Sequence, residues 1–108
     1  MNRIEERFNE LRGRGETAFI PYITGGDPSL DMSERIVLAL AEAGADIVEF
    51  GVPFSDPVGD GTVIQEAAQR ALAGGATLPA IFDTIRRIRA RCDTPLLLFS
   101  YFNPILVY

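Results

Sequence analysis

Histidine and lysine are missing from this 108-residue chain, and its 10 basic side chains are all arginine. The first absence removes the commonest general base and the imidazole ligand of zinc sites. The second removes any Schiff-base lysine. Acid–base chemistry in this chain therefore falls to aspartate or glutamate, with tyrosine or Cys92 as remote candidates. Cys92 is the only cysteine, which excludes an internal disulfide and argues against a cysteine metal cluster; its simplest reading is an inert side chain. No apolar run reaches the length of a membrane span, and the opening MNRIEERFNE is charged rather than signal-like. A soluble, cytoplasmic protein is expected. The net charge of −5 lacks the basic face that nucleic-acid binding requires.

Apolar residues make up 47% and charged residues 23%, a globular balance in a length that suits one small domain over 1–108. Residues 2 to 13 place Ile4, Phe8 and Leu11 at helical spacing, and Gly13 and Gly15 mark a stop. TAFIPYIT (17–24) predicts a strand and GGDPS (25–29) a turn, with Asp27 or Ser29 capping the helix that follows. That helix places Ile36, Val37 and Leu40 on one face and ends at Gly44. ADIVEFGV (45–52) predicts a second strand. Beyond Thr62 one helix turns Val63, Ile64, Ala67, Ala71 and Leu72 inward, and another, at about 78 to 91, does so with Ile81, Phe82, Ile85 and Ile88. LLLFSY (96–101) predicts a third strand. The order implies parallel strands joined by helical crossovers and buried on both faces. The apolar ending ILVY and three strands with open edges suggest a piece of a larger fold, or a chain that pairs with something.

The segment DIVEFGVPFSDPVGD (46–60) places Glu49 inside an apolar strand and ends its loop on Asp60. Alternation sets Ile47, Glu49 and Gly51 on one face and Val48, Phe50 and Val52 on the other. In α/β folds ligands gather at the carboxyl ends of strands, so Glu49 would point into such a mouth. Apolar surroundings there suit a carboxyl group to handling protons near neutrality. Asp60 could face the same ligand from another side. Plainer readings stand beside these: Glu49 exposed at an edge or paired with arginine, and Asp60 capping the next helix. Arginines 86, 87, 89 and 91 read as a solvated helix end, and Tyr22, Phe99 and Tyr101 as core aromatics or the lining of a pocket.

The stretches FIPYITGGDPS, AGADIVEFGVPFSDPVGDGTVIQEAAQRALAGG and LLFSYFNPIL, in this order, resemble the tryptophan synthase alpha subunit family, and EFGVPFSDPVGDGTVIQ is highly specific. The resemblance implies a (β/α)8 TIM barrel, of which this chain supplies an N-terminal helix and about the first three βα units. It implies a lyase of tryptophan biosynthesis that cleaves indole-3-glycerol phosphate to indole and glyceraldehyde 3-phosphate without a metal or organic cofactor. It assigns Glu49 as the acid–base group and Asp60 as the stabiliser of positive charge on the indole ring. Tyr22, Phe99 and Tyr101 match positions that line the indole pocket. Pro53, Asp56, Asn103 and Pro104 match the surface that meets a beta subunit, in an alpha2beta2 assembly whose pyridoxal phosphate belongs to that partner. A barrel of this kind needs about 250 residues. The later strands with their phosphate-binding residues lie outside this sequence, so the isolated chain is expected to be weakly active or inactive. Two alternatives remain: an inactive barrel fragment acting as a folding or self-association module, and an indole-forming relative that works without a beta partner.

Overall fold

The computed structural model describes residues 2–53 and 61–99. The order is α1 (Arg3–Arg14), β1 (Tyr22–Thr24), α2 (Leu30–Glu42), β2 (Val48–Gly51), α3 (Thr62–Ala73), α4 (Leu78–Arg91) and β3 (Leu96–Phe99). The strands form one parallel sheet in the order β1-β2-β3. Short polar side chains start three of the helices. The side chains of Asn2, Ser29 and Thr77 accept the N–H groups of Glu5, Met32 and Ala80, which the first helical turn leaves unpaired. Ser29, not Asp27, is thus the cap of α2. The N-cap of α3 falls on Gly61, which offers no side chain, rather than on Asp60.

The regular part of β1 is shorter than the sequence predicts. Pro21 has no N–H to donate to a ladder, although its carbonyl accepts from Glu49 N–H at 2.9 Å. Ahead of it, Phe19 C=O accepts from Asp46 N–H at 2.9 Å, and Phe19 N–H donates to Asp46 Oδ2 at 2.7 Å. The extended chain therefore follows β2 before the strand proper begins.

One face of the sheet carries the core. Val48 and Phe50, both fully buried, pack with Val37 of α2, Ala71 of α3 and Ile81, Ile85 and Ile88 of α4. Each of these valine, isoleucine and phenylalanine side chains contributes about 1.5–3 kcal/mol by leaving water. Helix α1 lies at the amino ends of the strands, where Leu11 is buried, Arg7 reaches Asp46 at 4.0 Å and Arg3 donates to Cys92 C=O.

Several expectations need correction. The strands are not buried on both faces: Tyr22, Leu97, Leu98 and Phe99 are all exposed. The helices cover one face, and β3 has no described neighbour on its outer side. Val63 is 74% exposed because it sits in the first turn of α3, ahead of the stretch where Ala67, Ala68 and Ala71 meet the sheet. Leu72 and Phe82 are exposed too, each one step round its helix from the buried Ala71 and Ile81. The arginines of α4 do more than solvate it: Arg87 and Arg91 reach Glu34 of α2 at 2.7 and 3.1 Å, while Arg86 pairs with Asp83.

Candidate active site

Strand β2 is central, and its alternation follows the sequence. Val48 and Phe50 turn to the helices, so Glu49 turns to the face that no described helix covers. The register puts Tyr22 of β1 and Leu97 of β3 level with Glu49 on that face, and Thr24 and Phe99 level with Gly51 one step further along. Two of the three expected pocket aromatics, Tyr22 and Phe99, thus share a face with Glu49. Tyr101 and Asp60 lie outside the described residues, as do Asp56, Asn103 and Pro104.

Glu49 is half-buried, and no described residue makes a hydrogen bond or ion pair with its carboxylate. Among the described residues Glu49 is thus neither on an edge strand nor paired with an arginine. What remains is a carboxylate between an aromatic and an aliphatic side chain on the uncovered face of a parallel sheet, one step before the carboxyl-end row of Thr24, Gly51 and Phe99. Such a group can give and take a proton with a ligand laid over the sheet. Pro53, also half-buried, follows the carboxyl end of β2, and Val52 N–H donates to Phe99 C=O at 2.8 Å just ahead of it.

The turn after β1 is tied on every side. Gly25 N–H donates to Gly51 C=O at 2.8 Å, and Gly26 N–H donates to the buried Ser33 Oγ at 2.8 Å. Asp27 accepts two bonds from the Arg70 guanidinium, at 2.8 and 3.0 Å. That guanidinium holds the Asp27 carboxyl below its ordinary range, as Arg87 and then Arg91 do for Glu34. Gly26 is left-handed, with φ of 95°, and a Cβ there would meet the Cβ of Ala76 at 2.6 Å. The clamp holds α3, which begins just after the loop containing Asp60, against the end of β1. Sequence reasoning read GGDPS as a turn and missed this clamp, because Arg70 lies 43 residues away.

A hollow of about 310 Å³ between α1, α4 and β3 is lined by Ile4, Ile85, Arg89, Leu96 and Leu98, among others. Neither Glu49 nor any other carboxylate lines it, so it is not where the expected chemistry would sit. Among the described residues no group of acidic or cysteine side chains could hold a metal, and no helix is long and apolar enough to cross a membrane.

Comparison with known proteins supports the same reading of fold and strand order. A family model described as tryptophan synthase alpha chain matches residues 8–108. The tryptophan synthase alpha chain of Geobacter sp. (strain M21) is 52% identical over all 108 residues, which amount to 40% of that relative's length. The chain thus spans well under half of such relatives. The crystal structure of tryptophan synthase subunit alpha from Legionella pneumophila superposes on the whole chain with a TM-score of 0.93 at 38% identity, using 42% of its own length. A tryptophan synthase complex from Pyrococcus furiosus matches 83% of the chain with a TM-score of 0.76 at 42% identity, over 37% of its own chain. The helix α1 and the three parallel strands, with Glu49 on the uncovered face, are accordingly the N-terminal part of a TIM barrel, and the chain belongs to the tryptophan synthase alpha chain family.

Proposed function

We propose that this chain carries the acid–base half of an active site that cleaves indole-3-glycerol phosphate to indole and glyceraldehyde 3-phosphate, a lyase step of tryptophan biosynthesis. The observation that carries the proposal is the placing of Glu49: half-buried, unpaired among the described residues, and level with Tyr22 on the uncovered face of a parallel sheet.

The cleavage is a retro-aldol reaction. A proton delivered to C3 of the indole ring places positive charge on the ring nitrogen. Loss of the proton from the neighbouring glycerol hydroxyl then lets the carbon–carbon bond break, giving indole and the aldehyde. One proton is added and one removed, so a single carboxyl group can serve both steps with no oxidant or reductant. Glu49 takes this role. Asp60 stands near the indole N–H and stabilises the charge that develops there. Tyr22, Phe99 and Tyr101 provide apolar walls for the flat ring. The chemistry asks only for carboxylates, which suits a chain without histidine or lysine, and no cofactor is assigned to it.

The partner is a tryptophan synthase beta subunit, which would receive the indole at its own pyridoxal phosphate. Pro53, Asp56, Asn103 and Pro104 are assigned to the contact with it, in an alpha2beta2 assembly. Support comes from the position of Pro53, two residues beyond the carboxyl end of β2, where Val52 N–H bonds to Phe99 C=O.

The test is a graft. These 108 residues replace the matching stretch of the Geobacter sp. relative, which restores the barrel around them. Indole release from indole-3-glycerol phosphate is expected from the graft and little or none from the 108-residue chain alone. A folded graft that releases no indole would refute the proposal.

A further inference from the structure

Two glycine–aromatic contacts lock β1 to β2, one on each face of the sheet. Gly25, just after β1, lies under the ring of Phe50 from β2; a Cβ on it would come within 2.5 Å of Phe50 Cζ and 3.0 Å of Cδ1. Gly51, the last residue of β2, lies under the ring of Tyr22 from β1; a Cβ there would stand 2.6 Å from Tyr22 Cζ and 2.9 Å from Cε2, and would overlap the hydroxyl. Each strand thus lays an aromatic ring over its neighbour's glycine, and the Gly25 N–H···O=C Gly51 bond joins the two seats. Neither glycine has a positive φ. Their lack of a side chain serves space, not backbone conformation.

The two seats differ in what a side chain would do. Phe50 is fully buried among the helices and has nowhere to go. Tyr22 is 37% exposed, so its ring can swing outward. A methyl group at position 25 therefore strains the core, whereas a methyl group at position 51 redirects one ring on the uncovered face. That ring starts level with Glu49 and leans over Gly51, toward the carboxyl end of the strand.

We propose that Gly51 is a positioning residue: its bare Cα holds the Tyr22 ring up the sheet beside Glu49, and so sets the width of the space left for a flat apolar ligand. The functional consequence rests on the lyase reading above; the geometry does not.

The experiment follows the tyrosine rings by NMR in the 108-residue chain labelled on tyrosine. Tyr22→Phe assigns the Tyr22 signals among the 3 tyrosines. In Gly51→Ala the Tyr22 ring signals are expected to move and to lose their contacts to residue 51, while the melting temperature falls by less than about 4 °C. Gly25→Ala is expected to do the reverse, lowering the melting temperature further and leaving the Tyr22 signals in place. Unchanged Tyr22 ring signals and contacts in Gly51→Ala would overturn the proposal. Should Gly51→Ala fail to fold, Tyr22→Ala/Gly51→Ala decides. Recovery to the level of Tyr22→Ala upholds the role of the ring, and failure of the double variant overturns it. No readout involves turnover, so loss of the lyase reading would leave these outcomes intact.

Discussion

The two faces of the sheet are built from alternate residues of the same strand, yet they are chemically opposite. Toward the helices, Val48 and Phe50 are fully buried in aliphatic company. On the other face, Glu49 stands between Tyr22 and Leu97, and both of these neighbours are exposed. A strand needs only one good apolar face to be held in place. Once Val48 and Phe50 secure β2, position 49 is released from packing and can carry a costly group. The covered face should therefore answer to mutation in stability and the uncovered face in chemistry.

The sharpest way to break that division is Phe50→Ala. Its ring fills the space above Gly25 and meets all three covering helices' core, so the loss should be about 3–5 kcal/mol in denaturant unfolding. A loss within error of zero would mean that the covered face is not the structural one. Next is Gly25→Ala, which overfills the same place and should cost about 1–3 kcal/mol. A smaller effect belongs to the ion pairs outside the sheet. Asp27 and Glu34 have lowered pKa values when folded, so folding is favoured by their ionised forms. Their contribution is present above the ordinary carboxylate range and disappears as pH falls from there through the lowered values. Unfolding midpoints measured against pH should therefore drop on the acid side, and Asp27→Asn with Glu34→Gln should flatten that drop. An unchanged acid limb in the double variant would sink the assignment. The smallest effect is expected at Val63, 74% exposed, where Val63→Ser should change stability by no more than about 0.5 kcal/mol.

Much of this was legible in the sequence, for reasons that are local. The period-2 pattern in IVEFGV fixes which side chains share a face, and the structure keeps it. The helix ends at Gly15 and Gly44 are written by glycines with positive φ. What was not legible depends on distant residues. The pairing of Asp27 with Arg70 joins positions 43 apart, and that of Glu34 with Arg87 joins positions 53 apart. Helical periodicity gave the stripe of α3 but not its width. Small alanines pack so close to the sheet that Val63 and Leu72 at the borders stay in water. The glycine seats carried a signal that was missed: Gly25 and Gly51 stand at matching ends of adjacent strands, each reached diagonally by an aromatic ring of the neighbouring strand.

Under the proposed function Glu49 serves chemistry and not packing. The most direct test compares Glu49→Gln with the unaltered sequence in the graft on the Geobacter sp. relative, measuring indole release and thermal unfolding on the same samples. Indole release is expected to fall by about 10²-fold or more while the unfolding temperature is held. Release that persists in Glu49→Gln, or that is lost only together with the fold, would contradict that role.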